Sequence, residues 1–166
     1  MAETDLMKTV CEYPGQQVTQ WVRTFGADLN WVEPGHPIPG SYWDAPEAGL
    51  IGNQIFVAPD TPVHSLAHEL GHYICMPASR RARLHTDAGG TDFEECAVCY
   101  LQIHLAYAGL GRAFNGSFQD LDDWGYSFRL GSAQRWYEQD AYQERQWLED
   151  QGLLDSEGMP TGKLRS

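Results

Sequence analysis

Residues 64–73 read His64-Ser65-Leu66-Ala67-His68-Glu69-Leu70-Gly71-His72-Tyr73. Within them HELGH matches the short metal motif H-E-x-x-H. On a helix, residues four apart lie about 40° apart round the axis and about 6 Å apart along it. His68 and His72 then point the same way and can share one metal ion. Glu69 stands one step round, placed to reach a water on that ion without ligating it. Two imidazoles, a third protein ligand and an open position are what a catalytic zinc needs. Such a zinc lowers the pKa of its water to about 7, and a neighbouring carboxylate takes the proton as hydroxide attacks. The same spacing also suits a half-buried helix whose histidines bond locally.

The flanks of the motif predict the helix it requires. Asp60-Thr61-Pro62 supplies a capping residue and then proline at the first helical position. Leu66, Leu70 and Tyr73 make an apolar stripe beside the histidines. Met76-Pro77 stops the helix. Upstream, Gly49 to Ala58 reads as a strand. Its Gly52 to Ala58 part is expected to be the edge on which an extended peptide pairs.

Two histidines need another donor, and Asp92, Glu94, Glu95, His85, His104 and the cysteines are the candidates. Glu94 is favoured. Thr91 is a good N-cap, Glu94 falls three residues on as in a capping box, and a helix from about Asp92 to Ala108 follows. The small Ala97 one turn later lets two helices approach. Glu95 is the nearest competitor, because a boundary error of one residue exchanges the two. A capping glutamate facing water is the bland role for Glu94.

Composition bounds the rest. A chain of 166 residues suits one domain, spanning 1–166, with a real core. Its 42% hydrophobic content predicts a globular chain. The net charge of -12 argues against a nucleic-acid partner, since phosphate binding needs a concentrated basic surface. Arg80, Arg81 and Arg83 cluster, which reads as a solvated turn. No stretch approaches the roughly 18 apolar residues of a membrane span. Met1-Ala2-Glu3-Thr4-Asp5 is acidic and unlike a signal peptide, so a cytoplasmic protein is expected. Cys75, Cys96 and Cys99 then read as reduced thiols, mostly in the core.

Residues 4 to 26 are expected to be helical, broken near Pro14-Gly15, with Val18, Trp21, Val22 and Phe25 on one face. Asp28 to Glu33 suggests a short strand. Residues 34 to 48, rich in proline and carrying Trp43, read as a loop, and 77 to 91 as a polar connection. Residues 117 to 130 are mixed. Ser132 to Gln151 reads as one last helix between Ser132 and Gly152, and the tail from Leu154 as frayed.

HELGH on one helix with a glutamate from the next resembles the gluzincin arrangement. The run Ser65 to His72 and the compact build resemble the ImmA/IrrE-like minimal metallopeptidases, over roughly residues 50 to 105. In that family the second motif reads E-x-x-A-N, where this chain has Glu94-Glu95-Cys96-Ala97-Val98. Val98 stands where a polar residue commonly braces a zinc-bound histidine. The resemblance implies a small zincin-like α+β domain. A short mixed or antiparallel sheet would pack on the HExxH helix and a second ligand-bearing helix, and the C-terminal part would be mostly helical. It also implies cleavage of peptide or protein substrates, in some members a repressor. The helix-turn-helix module that often accompanies such members is not evident here. Peptide deformylases need a cysteine ligand upstream of the helix, and Cys11 lacks the surrounding motif. Metzincins need a third histidine six residues after His72, where position 78 is Ala. Cys75, three residues after His72, is a possible competing ligand.

Two functions follow. The first is a zinc-dependent metallopeptidase with His68, His72 and Glu94 on the metal and Glu69 as general base. Tyr73, Tyr100, His104 and Tyr126 are the candidates for stabilising the oxyanion. The second is a zincin fold kept as a binding or regulatory module with little turnover. Oligomeric state is left open.

Overall fold

The computed structural model describes residues 7–41, 47–85 and 89–166. Residues Met1 to Leu6, Trp43 and the middle of the 77–91 connection lie outside the described residues.

The first expected helix is shorter than its periodicity suggested. A single 3-10 turn at Val10–Glu12 precedes α1, Gly15–Arg23, with the break at Pro14. Val18, Trp21 and Val22 of α1 are buried, as their spacing requires. The turn at Gly26, φ +82°, leads into β1, Asp28–Trp31.

The expected single strand at 49–58 is a hairpin. β2 covers Gly49–Ile51 and β3 covers Gln54–Val57, antiparallel, with Ile51 opposite Gln54. Gly52 takes φ +59° in the two-residue turn, where a positive φ favours glycine. β1 pairs parallel to β3 on the other side, giving the order β1-β3-β2. The expectation that Gly52 to Ala58 forms a free edge is therefore wrong. β3 is the central strand, and both of its edges are already hydrogen-bonded.

α2, Val63–Cys75, is the motif helix. Pro62 precedes it, the carbonyl of Lys8 takes up the amide of Val63 at 2.8 Å, and Pro77 follows the extended Met76. A short α3, Ala78–Arg81, leads toward α4, Asp92–Leu110. Thr91 caps α4 through the amide of Glu94 at 3.1 Å, and Gly111 ends it at φ +71°. α2 and α4 are the central pair. They approach tightly at Gly71, where a Cβ would meet Val98 Cγ1 at 3.0 Å.

α5, Phe114–Trp124, ends at Gly125. The expected last helix is two, α6 Ala133–Gln139 and α7 Tyr142–Asp150, broken at Asp140-Ala141. Ser132 does cap α6, accepting from the Arg135 amide. The tail is tied down rather than frayed. Leu154 bridges Pro160, the Arg165 amide donates to the Ile74 carbonyl at 2.9 Å, and Arg81 reaches the Arg165 carbonyl. The result is an α+β fold: a three-stranded mixed sheet, the α2–α4 pair, and a helical C-terminal part. Among the described residues no helix is long and apolar enough to cross a membrane.

Candidate metal centre

α2 brings His68 and His72 onto one face, with ring centroids 4.6 Å apart and both Nε2 atoms aimed inward, 3.0 Å from each other. The third group there is Glu95. Its Oε1 lies 2.9 Å from His68 Nε2 and its Oε2 lies 3.1 Å from His72 Nε2. Among the described residues, His68, His72 and Glu95 form the one cluster whose ligand atoms lie close enough to hold a metal, all within 4.8 Å. Both imidazoles are buried, while the Glu95 side chain is 44% exposed, so the cluster is reached from the Glu95 side.

The favoured third donor, Glu94, is not with the histidines. Its carboxylate is clasped by Arg80 and by Arg165, whose Nη1 lies 3.2 Å from Oε1. The reason is helical phase. One residue turns a side chain by about 100°, so Glu95 faces α2 and Glu94 faces α3 and the C-terminal tail. The capping box is thus half made. Thr91 accepts from the amide of Glu94, but the Glu94 carboxylate goes to the arginines. Arg80 and Arg81 act as internal staples and not as a solvated turn.

Gln102, absent from the expectations, decides the protonation of His68. Its amide nitrogen donates to the carbonyl of His64 at 3.3 Å, so its oxygen is the atom that faces His68 Nδ1 at 2.6 Å. An amide oxygen only accepts, so His68 Nδ1 carries the hydrogen. In the neutral ring Nε2 then holds a lone pair, and it faces a carboxylate oxygen and another imidazole nitrogen. A lone pair 2.9 Å from a carboxylate oxygen needs a proton or a metal between the two. Burial works against charge on His68, but Tyr126, Cys99 and Glu95 outweigh it and push its pKa well above the usual value. Burial would likewise raise Glu95, yet hydrogen bonds from His68 and His72 hold its carboxyl far below the usual range. In addition, His72 Nδ1 is buried and finds no partner among the described residues.

Glu69 is half-buried beside this group. Burial raises its pKa, His72 and His68 oppose, and Glu95 adds to the rise. Glu47 shares the space. Its carboxyl is raised by burial and by the charge of Glu69, against the pull of His68. The amide of the next residue, Ala48, donates to Ser65 Oγ at 2.9 Å and so fixes that chain on α2.

The four oxyanion candidates part company. Gly125 takes φ +97° and the Tyr126 amide returns to the Leu121 carbonyl, a helix ending that lays Tyr126 over His68 with ring centroids 5.3 Å apart. Tyr73 lies under the Arg81 guanidinium. Tyr100 stacks on Tyr137 and His104. His104 takes the Tyr137 hydroxyl at 2.9 Å and is a satisfied core histidine. Of the other donors considered, His85 bridges Ile51 at the β2 edge, and Asp92 is exposed in the first turn of α4. Cys75 is packed in the core, its thiol raised by burial. Cys99 lies against His68, and all four cysteines are free.

Gln102 had a readable signal. It lies seven residues after Glu95, two turns on and on the same face, but the E-x-x-A-N pattern directs the eye to Val98. Glu47 had none, since it ends an irregular loop. Compared with known proteins, the chain matches no family model, no curated protein and no solved structure.

Proposed function

We propose that the protein is a zinc-dependent metallopeptidase of zincin type, with His68, His72 and Glu95 holding the metal and Glu69 acting as general base. The observation that carries the reading is the convergence of two imidazole Nε2 atoms and a carboxylate on one point, with the Nδ1 proton of His68 held away by Gln102. The donor set of two imidazoles and a carboxylate suits zinc, and its partly exposed side leaves room for a water and a substrate. A bound zinc would supply Lewis acidity and bring the pKa of its water to about 7.

The chain's own groups divide the remaining work. Glu69, with a carboxyl raised by burial, accepts the proton of the attacking water and passes it to the leaving amine. The Tyr126 phenol, raised by burial and so kept protonated, donates to the carbonyl oxygen as charge builds there. Gln102 keeps His68 in one tautomer.

Replacement of Glu69 by glutamine tests the assignment, because it removes the base and keeps size and hydrogen bonding. Zinc content and Tm should stay near wild type, while cleavage of a mixed peptide library should fall by about 10²-fold or more. Full cleavage by Glu69→Gln would end the mechanism. Stoichiometric zinc without cleavage by wild type would favour the binding or regulatory module.

A further inference from the structure

Next to the metal group lies a separate cavity of about 370 Å³ whose walls include Cys96, Phe128, Trp136, Asp140, Tyr142 and Glu144. Its two carboxylates differ. Asp140 is neutralised by Arg129, whose Nε lies 2.8 Å away. Glu144 is 7% exposed, and no other side chain bonds to its carboxylate among the described residues. It meets only its own backbone amide. Burial raises its pKa, Asp140 adds to that and Arg129 opposes. The carboxylate therefore lines the cavity with no cationic side chain bonded to it, Arg129 on the same wall being taken up by Asp140, and a cation from outside can pair with it.

The surroundings of Glu144 are aromatic. Phe128 and Trp136 pack with ring centroids 4.9 Å apart, and Tyr142, 70% exposed, stands at the mouth. Aromatic faces accept both an aliphatic stem and a cation. The cavity lies one step round α4 from the metal group and is joined to it by an aromatic contact. Cys96 directly follows Glu95 in α4, and the Phe128 ring lies 6.4 Å from that of Tyr126, which packs on His68. The net charge of -12 draws cations toward the whole surface.

We propose that this cavity binds the basic side chain, lysine or arginine, of a peptide, with the Glu144 carboxylate as partner of the cation and Phe128, Trp136 and Tyr142 along its stem. Only the description of that peptide as a substrate rests on the metallopeptidase reading. Beside the metal group, the cavity sets a preference for a basic residue near the scissile bond.

The test uses Nα-acetyl-lysine amide and the uncharged Nα-acetyl-norleucine amide, titrated into the full chain with and without zinc. Binding is followed through the indole NMR signal of Trp136. The lysine amide should bind about tenfold tighter, the value of one charge-assisted contact. Glu144→Gln should bring the ratio close to one with Tm retained. A carboxylate that serves only the first turn of α7 would instead lower Tm on replacement and leave the ratio unchanged, which overturns the proposal. Should Glu144→Gln fail to fold, Tyr142→Ala at the exposed mouth serves, and unchanged lysine binding there also overturns it. Equal binding of the two probes by wild type does the same. Because the zinc-free chain carries the readout, lysine-selective binding without any peptide cleavage upholds the cavity and sinks the peptidase reading. Cleavage with no basic preference upholds that reading and rejects the cavity.

Discussion

Gln102 Oε1 lies 2.6 Å from His68 Nδ1, and this one contact determines which nitrogen of His68 is free to bind. The brace comes from one turn beyond Val98. Val98 itself fills the crossing against Gly71, where a polar side chain would lie against apolar helix and not against a histidine ring. Gln102→Leu keeps approximate volume and removes the acceptor. Zinc affinity, measured against a chelating dye, should fall about 10- to 100-fold. Gln102→Glu, which retains an acceptor, should recover part of that loss. Unchanged affinity in Gln102→Leu would show that the brace has no influence on binding.

Glu94 and Glu95 should separate cleanly. Glu95→Ala should abolish stoichiometric zinc, read by atomic absorption, and should also lower the stability of the zinc-free chain, because the buried His68 and His72 lose the carboxylate they bond. Glu94→Ala should retain zinc. It should cost about 1–3 kcal/mol in urea denaturation, because Arg80 and Arg165 lose their shared carboxylate. Faster amide exchange near Arg165 should accompany it as the tail loosens. The reverse pattern would return Glu94 to the metal.

The body of the motif helix, the α4 cap and the apolar face of α1 are legible because each rests on contacts within a few residues. The start of the motif helix is not legible: Pro62 is its cap and not its first residue, and no side chain caps it. The Thr61 hydroxyl takes the Ala58 amide, and the Val63 amide goes to the distant Lys8 carbonyl. His68, Glu69 and His72 share one helix, so their relation follows from helical spacing alone. The third member of the candidate group, Glu95, lies on another helix, and which glutamate it is depends on the phase of α4 against α2 where Gly71 meets Val98. The hairpin was missed because Gly52-Asn53 sits inside one apolar run. The central position of β3 depends on its parallel pairing with β1, more than twenty residues upstream. The tail looked frayed because its anchors, Ile74, Arg81 and Glu94, are all distant in sequence.

Acid should weaken the fold through His104. Burial lowers its pKa to about 4, with the hydrogen bond to the backbone of Gly158 opposing and Arg145 adding. The folded value lies below the unfolded one, so the unfolded chain binds more protons between them. The stability is present above about pH 6.5 and is lost as the pH falls toward 4. The loss attributable to this residue is on the order of 3 kcal/mol at most. Urea midpoints of wild type and His104→Gln at pH 7 and pH 4.5 check it. The variant should show the shallower pH dependence, and parallel curves would remove His104 as a cause.

Tyr126 is the residue on which the oxyanion assignment stands. Its ring packs 5.3 Å from His68, while Tyr73, Tyr100 and His104 are engaged with Arg81, Tyr137 and each other. Tyr126→Phe keeps the ring against His68 and removes only the hydroxyl. Zinc content and Tm should therefore hold. If the hydroxyl donates to oxygen only as charge develops, kcat should fall about 10²- to 10³-fold while KM changes little. A rise in KM at constant kcat would instead mark a contact made equally with the bound peptide and the transition state. Retention of wild-type turnover would remove Tyr126 from the chemistry. The donor would then have to come from outside the four candidates, since the other three have their polar atoms or rings committed elsewhere in the fold.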